Sequence, residues 1–192
     1  MSDREDLRVR RTKKALADAF MQLLSQKPLD DITINELCDT AGIRRATFYK
    51  HYADKFDFLS SYIGELRDRF DKLFWKPEGY TITADYYVAY AKRLIHFITE
   101  HSAAIDNIFK SNMFPVVMNI IVEQNYKDTC ERLRKSVKDG MKLPASVEVT
   151  ASMCAGGVAT TIYQWLKDEK KISPDSLAEQ VGAVVSSALT LN

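Results

Sequence analysis

Glycine and proline are scarce, seven and five among 192 residues. Both residues punctuate turns and interrupt helices, so their rarity argues against many short strands and for long helical segments. The three cysteines, Cys38, Cys130 and Cys154, are odd in number and far apart. That pattern lacks the paired spacing of a structural zinc site or a disulfide framework, and buried thiols in a reducing compartment are the plain reading. No run of about 18 apolar residues is present to span a bilayer, and residues 1–14 are charged where a secretory signal would be apolar. A cytoplasmic protein with no membrane partner is expected. A surplus of one charge is also missing: 27 basic residues face 26 acidic ones, for a formal net charge of +1. Any affinity for a polyanion must therefore come from local clustering. The chain carries no Gly-rich phosphate loop, no Gly-x-Ser-x-Gly elbow and no His-Glu-x-x-His. His96 and His101 lack clustered partners, so neither an enzyme nor a metal site is expected, and no cofactor.

What the sequence does contain is helical periodicity, with apolar residues recurring at three- and four-residue steps. Leu16, Ala19, Phe20, Leu23 and Leu24 form the stripe of a first helix that Lys27-Pro28 ends. Thr33-Ile34-Asn35-Glu36 reads as a capping box opening a short helix through Ala41, and Gly42 can take the left-handed conformation that closes it. A helix over Ala46–Tyr52 follows at once. Asp54 then caps a longer helix through residue 75, which stops at the Lys76-Pro77-Glu78-Gly79 break. Further helices are expected near 82–101, 103–110, 115–138, 145–168 and 174–189, the last opened by Ser173-Pro174. The predicted fold class is all-α.

The tight two-helix unit at residues 33–52 has the layout of a helix-turn-helix that reads double-stranded DNA. In its second helix Phe48 and Tyr52 fall on the core side with Leu37, while Arg45, Thr47, Tyr49, Lys50 and His51 face outward. Arg44 and Arg45 suit guanine edges or phosphates, because a guanidinium binds either in bidentate fashion; which arginine touches a base is open. Lys50 and Lys55 suit phosphates, Thr47 and Tyr49 can donate hydroxyl hydrogen bonds or meet a thymine methyl, and His51 can donate to a phosphate. Thr33 adds a helix N-terminus, itself an anion site. Upstream, Arg8, Arg10, Arg11, Lys13 and Lys14 concentrate positive charge that fits either an arm or first turn along the DNA backbone, or a solvated face.

The run Ala41-Gly42-Ile43-Arg44-Arg45-Ala46-Thr47-Phe48-Tyr49-Lys50-His51-Tyr52-Ala53-Asp54-Lys55 resembles the signature of the tetracycline-repressor (TetR) family. The resemblance covers residues 8–60. It implies an all-helical homodimer with a three-helix DNA-binding domain at 1–53 and a larger effector-binding and dimerisation domain at 54–192, the helix at 54–75 connecting them. The implied DNA contacts are Thr33, Arg44, Arg45, Thr47, Tyr49, Lys50, His51 and Lys55, with Phe48 and Tyr52 in the core. The implied function is a repressor that binds a pseudo-palindromic operator and is released by a small-molecule effector. The alternative is a co-activator or protein-interaction module of the same fold that does not itself read DNA, since the layout from Gly156-Gly157 through Trp165-Leu166 to Ser173-Pro174 is similar to a subgroup that includes activators.

In the C-terminal part, aromatic and thioether side chains are dense enough to line an apolar cavity or simply to fill a core. The pocket candidates on the connecting and following helices are Phe70, Phe74, Tyr87, Tyr90 and Phe97. Further along they are Phe109, Met113, Met118, Tyr126, Tyr163 and Trp165. Small residues at Ala151, Ala155, Gly156 and Ala159, and at Gly182, Ala183, Ser186 and Ser187, let the last two helices pack closely. They serve either a homodimer four-helix bundle across a two-fold axis or packing within one chain.

Overall fold

The computed structural model describes residues 2–72, 84–168 and 172–189, with side chains over 7–69, 88–168 and 172–189. Among the described residues the regular structure is nine α-helices and one short 3-10 turn, with no strand. They are α1 (Ser2–Leu24), the 3-10 turn (Leu29–Asp31), α2 (Ile34–Ala41), α3 (Arg45–Phe48), α4 (Lys55–Lys72), α5 (Ala84–Glu100), α6 (Ser102–Phe109), α7 (Phe114–Lys138), α8 (Val147–Lys167) and α9 (Pro174–Leu189). The all-α expectation is met. Residues 2–24 form α1, so of the arm and the first turn expected for Arg8, Arg10 and Arg11 the helix is what carries them. One local reading changes. The regular part of α3 starts one residue early and ends at Phe48, and residues 49–52 continue as a helical turn held by His51 N–H to Phe48 C=O at 2.9 Å and Tyr52 N–H to Phe48 C=O at 3.0 Å. Residues 73–83, with the expected break at 76–79, lie outside the described residues.

One compact unit comprises residues 1–63 together with 101–117. This differs from a boundary at residue 53, because the start of α4 and all of α6 belong to it. Leu16, Phe20, Leu23 and Leu24 of α1 are buried with Leu29, Ile32, Leu37, Phe48, Tyr52, Phe58 and Leu59. Each large apolar side chain withdrawn from water contributes roughly 1.5–3 kcal/mol. The rings interlock edge to face, Phe20 with Phe58 at 5.4 Å, Tyr52 with Phe58 at 5.2 Å and Phe20 with Tyr62 at 5.2 Å between centroids. α6, distant in sequence, packs on α1 and buries Ala104. Asn107 donates its amide to the carbonyl of Leu24 at 2.8 Å, satisfying an acceptor that the end of α1 leaves open. The Asn112 N–H meets the Asp30 carboxylate at 2.8 Å.

The second unit comprises residues 64–100 and 118–192. Within it α5 packs along α9, where Ala91, Ile95 and Ile98 of the one and Leu177, Ala178, Val181, Val185 and Leu189 of the other are buried. Gly182 makes that approach possible, since a Cβ there would stand 2.2 Å from Val88 Cγ2 and 2.9 Å from Val88 Cα. Of the two uses foreseen for the small residues, packing within the chain takes Ala151, Ala155, Ala159 and Gly182. Ser146 and Ser173 cap α8 and α9 by accepting from the backbone N–H of Val149 and Ser176. On α4 and α7, Arg67 Nη1 donates to the Gln124 carbonyl at 2.9 Å.

Candidate DNA-binding surface

The reading unit is assembled from local chemistry. The Thr33 hydroxyl accepts from the Glu36 N–H at 3.2 Å, which fixes the start of α2. Glu36 does not close the expected reciprocal box, because its carboxylate pairs with Lys27 Nζ at 2.5 Å. Gly42 ends α2 at φ 65° and ψ 30°, its N–H bonded to the carbonyls of Cys38 and Asp39, and the Ile43 N–H reaches Cys38 C=O at 2.9 Å. A side chain at that left-handed position costs roughly 1–2 kcal/mol, so glycine sets the sharpness of the turn. Arg44 then takes an extended conformation, φ −69° and ψ 140°, and α3 begins.

Burial divides α3 and its following turn by face. Phe48 and Tyr52 are buried, and both rings contact Phe58 at the start of α4. Arg44, Arg45, Tyr49 and Lys50 are exposed, Thr47 and His51 are half-buried, and Thr33 is exposed at the adjacent helix start. Arg45 lies over the Tyr49 ring, its guanidinium carbon 5.7 Å from the centroid, and Nη2 donates to the Tyr49 hydroxyl at 3.5 Å. That hydrogen bond, first among the influences on it, shifts the Arg45 pKa upward and favours its charged form. Tyr49 in turn stands on Phe48, ring centroids 5.4 Å apart and planes at 88°.

Lys55 departs from the expectation of a free phosphate cation. Its Nζ donates to the Leu29 carbonyl while its stem follows a small cleft lined by Ile32, Leu37, Phe48 and Phe58. Burial lowers its pKa, against the opposing pull of Asp30 and Asp31. It therefore ties the beginning of α4 to the 3-10 turn. The same helix start is capped by Asp54, which accepts from Phe56 and Asp57 N–H at 2.8 and 2.9 Å, while Asp57 accepts from Ala53 N–H at 2.8 Å. On α1, Arg8, Arg10, Arg11 and Lys14 are exposed. Arg8 and Arg11, three apart, share a face with one another and not with Arg10. Lys14 is paired with Asp18 at 2.5 Å.

The second unit holds a cavity of about 60 Å³. Asn125, Asp128, Thr129 and Arg132 of α7 form its polar wall, Asp128 and Arg132 joined at 2.7 Å with side chains only 24% and 18% exposed. Ala91, Cys154, Ala155, Val158, Val181 and Val185 supply the apolar side. Among the described residues, Tyr90 is the one expected pocket residue that lines it. Trp165 is buried with its indole N–H donating to Ile172 C=O at 2.9 Å. Phe97, Met118, Tyr126 and Tyr163 are half-buried elsewhere in the unit. Phe109 and Met113 fall in the other unit, Phe109 stacked on Phe114 at 4.7 Å. The side chains of Phe70, Phe74 and Tyr87 lie outside the described residues. Of the expected aromatic and thioether candidates with described side chains, only Tyr90 reaches the cavity, and Phe109 and Met113 belong to the other unit altogether. The polar wall, spaced 125, 128, 129 and 132 on one helical face, is a signal that the sequence itself carries.

Residues 16–62 match the profile of bacterial regulatory proteins of the tetR family, and residues 87–187 match that of a transcriptional regulator C-terminal region. The uncharacterized HTH-type transcriptional regulator YxbF of Bacillus subtilis (strain 168) is 46% identical over 59 residues, which are 30% of this chain and 16% of that protein. The matched stretch is thus a small part of the curated relative's length. Among solved structures, a TetR transcriptional regulator from Streptococcus agalactiae 2603V is 21% identical with a TM-score of 0.59, covering 96% of this chain and 99% of that one. The regulator FadR from Bacillus subtilis, in complex with stearoyl-CoA, is 14% identical with a TM-score of 0.62, covering 91% of this chain and 98% of that one. At these identities the likeness is one of fold.

Proposed function

The chain belongs to the tetR family of bacterial regulatory proteins, and on that footing we propose that it is a cytoplasmic repressor that binds double-stranded DNA through residues 33–52. The observation that carries the reading is the two-faced turn at α3: Phe48 and Tyr52 are locked inward, and Arg44, Arg45, Tyr49 and Lys50 stand outward beside Thr47 and His51. This is a rigid element presenting cations and hydroxyl donors on one side, which is what a major-groove reader needs. No catalytic step is assigned to it.

The working form is a homodimer through α8 and α9. In support, Val149 and Met153 of α8 and Val184 of α9 are 50%, 72% and 69% exposed, an apolar face of the kind that marks a protein contact. Two such chains would present paired α3 turns to successive major grooves roughly 34–36 Å apart, the geometry of a pseudo-palindrome. An effector would enter the second unit's cavity and release the operator. At about 60 Å³ the cavity falls well below the roughly 300–1,000 Å³ that drug-sized ligands occupy. That size argues against a ligand as long as the stearoyl-CoA held by FadR, and the polar wall of Asn125, Thr129 and the Asp128–Arg132 pair supports a small polar one.

The test is fluorescence anisotropy on genomic DNA fragments of the source bacterium over a salt series, with Arg45→Ala and Lys50→Ala alongside. Arg44, Arg45 and Lys50 are exposed on each chain, and the six such cations of a dimer predict an affinity loss of up to about 10³-fold between about 50 and 200 mM salt, against about 40-fold for a monomer. Absence of sequence-selective binding, or two variants that bind like the wild type, would refute DNA reading. Sedimentation velocity showing only a monomer would refute the dimer.

A further inference from the structure

The two adjacent arginines of the reading turn are not equivalent. Arg44 is the residue before the helix, in extended geometry, and makes no side-chain capping bond. Arg45 is the first helical residue, and its guanidinium is laid across Tyr49 at 5.7 Å with a hydrogen bond to the ring hydroxyl. Tyr49 is 47% exposed, yet its ring is held edge-on by Phe48, a side chain with no exposure at all. A brace therefore runs outward from the core, from Phe48 to Tyr49 to Arg45. A free arginine surrenders most of its rotamer freedom when it docks, whereas one already stacked on an aromatic face has surrendered part of it beforehand. The planar fork is then pre-oriented, which is what bidentate recognition of a guanine edge requires and what attraction to a phosphate does not.

We propose that Arg45 is the base-reading arginine, specifying a guanine in each half-site through its O6 and N7, that Tyr49 is its positioning residue, and that Arg44 contacts phosphate. The assignment rests on the DNA-reading function proposed above and goes past it by naming the base and the side chain that selects it. It also separates two kinds of contact on neighbouring residues, since phosphate contacts strengthen binding to all sequences alike and base contacts discriminate among them.

The experiment begins with selection of bound duplexes from a random pool by the full chain. Anisotropy then follows on the selected site and on copies in which the half-site guanine is replaced by adenine or by 7-deazaguanine, which lacks the N7 acceptor. Replacement is expected to weaken the wild type about tenfold or more. Arg45→Ala should bind the original and replaced sites almost equally. Tyr49→Leu should lose much of the discrimination with the salt slope intact, and Tyr49→Phe, which keeps the ring, should retain most of it. Arg44→Ala should discriminate as fully as the wild type while losing affinity for every duplex and lowering the salt slope by about one per site. Equal circular dichroism melts for all variants guard against misfolding. Retained discrimination in Arg45→Ala, or its loss in Arg44→Ala, overturns the assignment, and full discrimination in Tyr49→Leu overturns the positioning role. If the wild type selects no sequence, DNA reading itself falls and this assignment with it, an outcome distinct from a selected site whose guanine ignores Arg45.

Discussion

Replacing Gly182 by alanine adds one carbon where α9 lies against α5, and two opposing effects follow. Alanine in a helix interior is favoured over glycine by about 1 kcal/mol. Against that gain, the new carbon would stand 2.2 Å from Val88 Cγ2 and 2.9 Å from Val88 Cα. The methyl could be turned aside, but the Cα belongs to the backbone of α5 and moves only with the helix. Parting the two helices by about 0.5–1 Å forfeits a quarter to a half of each dispersion contact along the seam. That seam buries Ala178, Val181, Val185 and Leu189. Overpacking of this kind costs about 1–3 kcal/mol or somewhat more, so the net expectation is a destabilisation of about 1–2 kcal/mol, read as a melting point lower by about 2–8 °C for a chain of this size. Gly64→Ala is the matched control. It carries the same helical gain, but its added carbon meets only the end of the Gln124 side chain, at 3.1 Å, which can rotate away. Thermal melts at one fixed protein concentration, which holds any association constant, should place Gly182→Ala below the wild type and Gly64→Ala at or above it. Equal stability of the two variants would refute the steric reading of Gly182.

Thr150→Val should stabilise the chain by about 1 kcal/mol in urea unfolding, since among the described residues the buried Thr150 hydroxyl has no hydrogen-bond partner and valine keeps the shape without the desolvation cost; a loss of stability would show that the hydroxyl is satisfied in solution. Asn107→Ala should cost about 1 kcal/mol and lower the urea midpoint without altering the slope, because it leaves the Leu24 carbonyl without its donor; an unchanged midpoint would remove α6 from the account of that unit. Burial raises the thiol pKa of Cys154 above its ordinary 9.0. The folded chain therefore keeps a proton that the unfolded chain gives up, and this contribution, complete below pH 9.0, is lost as pH rises through the folded value. Stability should accordingly decline in alkali less steeply for Cys154→Ala than for the wild type, and parallel declines would contradict the assignment.

Local chemistry made much of the fold legible. Thr33, Gly42, Asp54 and Ser173 mark helix ends through hydrogen bonds that involve only near neighbours, and each occurs at its expected place. The inward pair Phe48 and Tyr52 followed from a four-residue step. What escaped were contacts between residues far apart in sequence. Nothing near Asn107 signals that it will meet Leu24, 83 residues earlier. The charge of Lys55 suits a phosphate, and it is the apolar stem beneath that charge that determines where the side chain lies. The aromatic residues illustrate a different gap: periodicity assigns a side chain to a face of its own helix but not to a cavity shared by four helices. The polar series on α7 carried that information better, because four hydrogen-bonding residues on one face and short of solvent require a common reason.

The composition of the reading unit from two stretches of chain, 1–63 and 101–117, bears on how such a protein can be recombined. The polypeptide passes between its two units three times, at residues 63/64, 100/101 and 117/118. Two of those passages fall inside unbroken helices, α4 and α7. A chimaera that grafts a foreign head at residue 63 would carry its own first three helices onto a body that still supplies the native α6, whose Asn107 would meet a foreign end of α1 in place of Leu24. Exchange of specificities between relatives must therefore move two pieces at once. It must also respect helical phase, since one residue inserted or deleted at a join inside α4 or α7 rotates everything beyond it by about 100°.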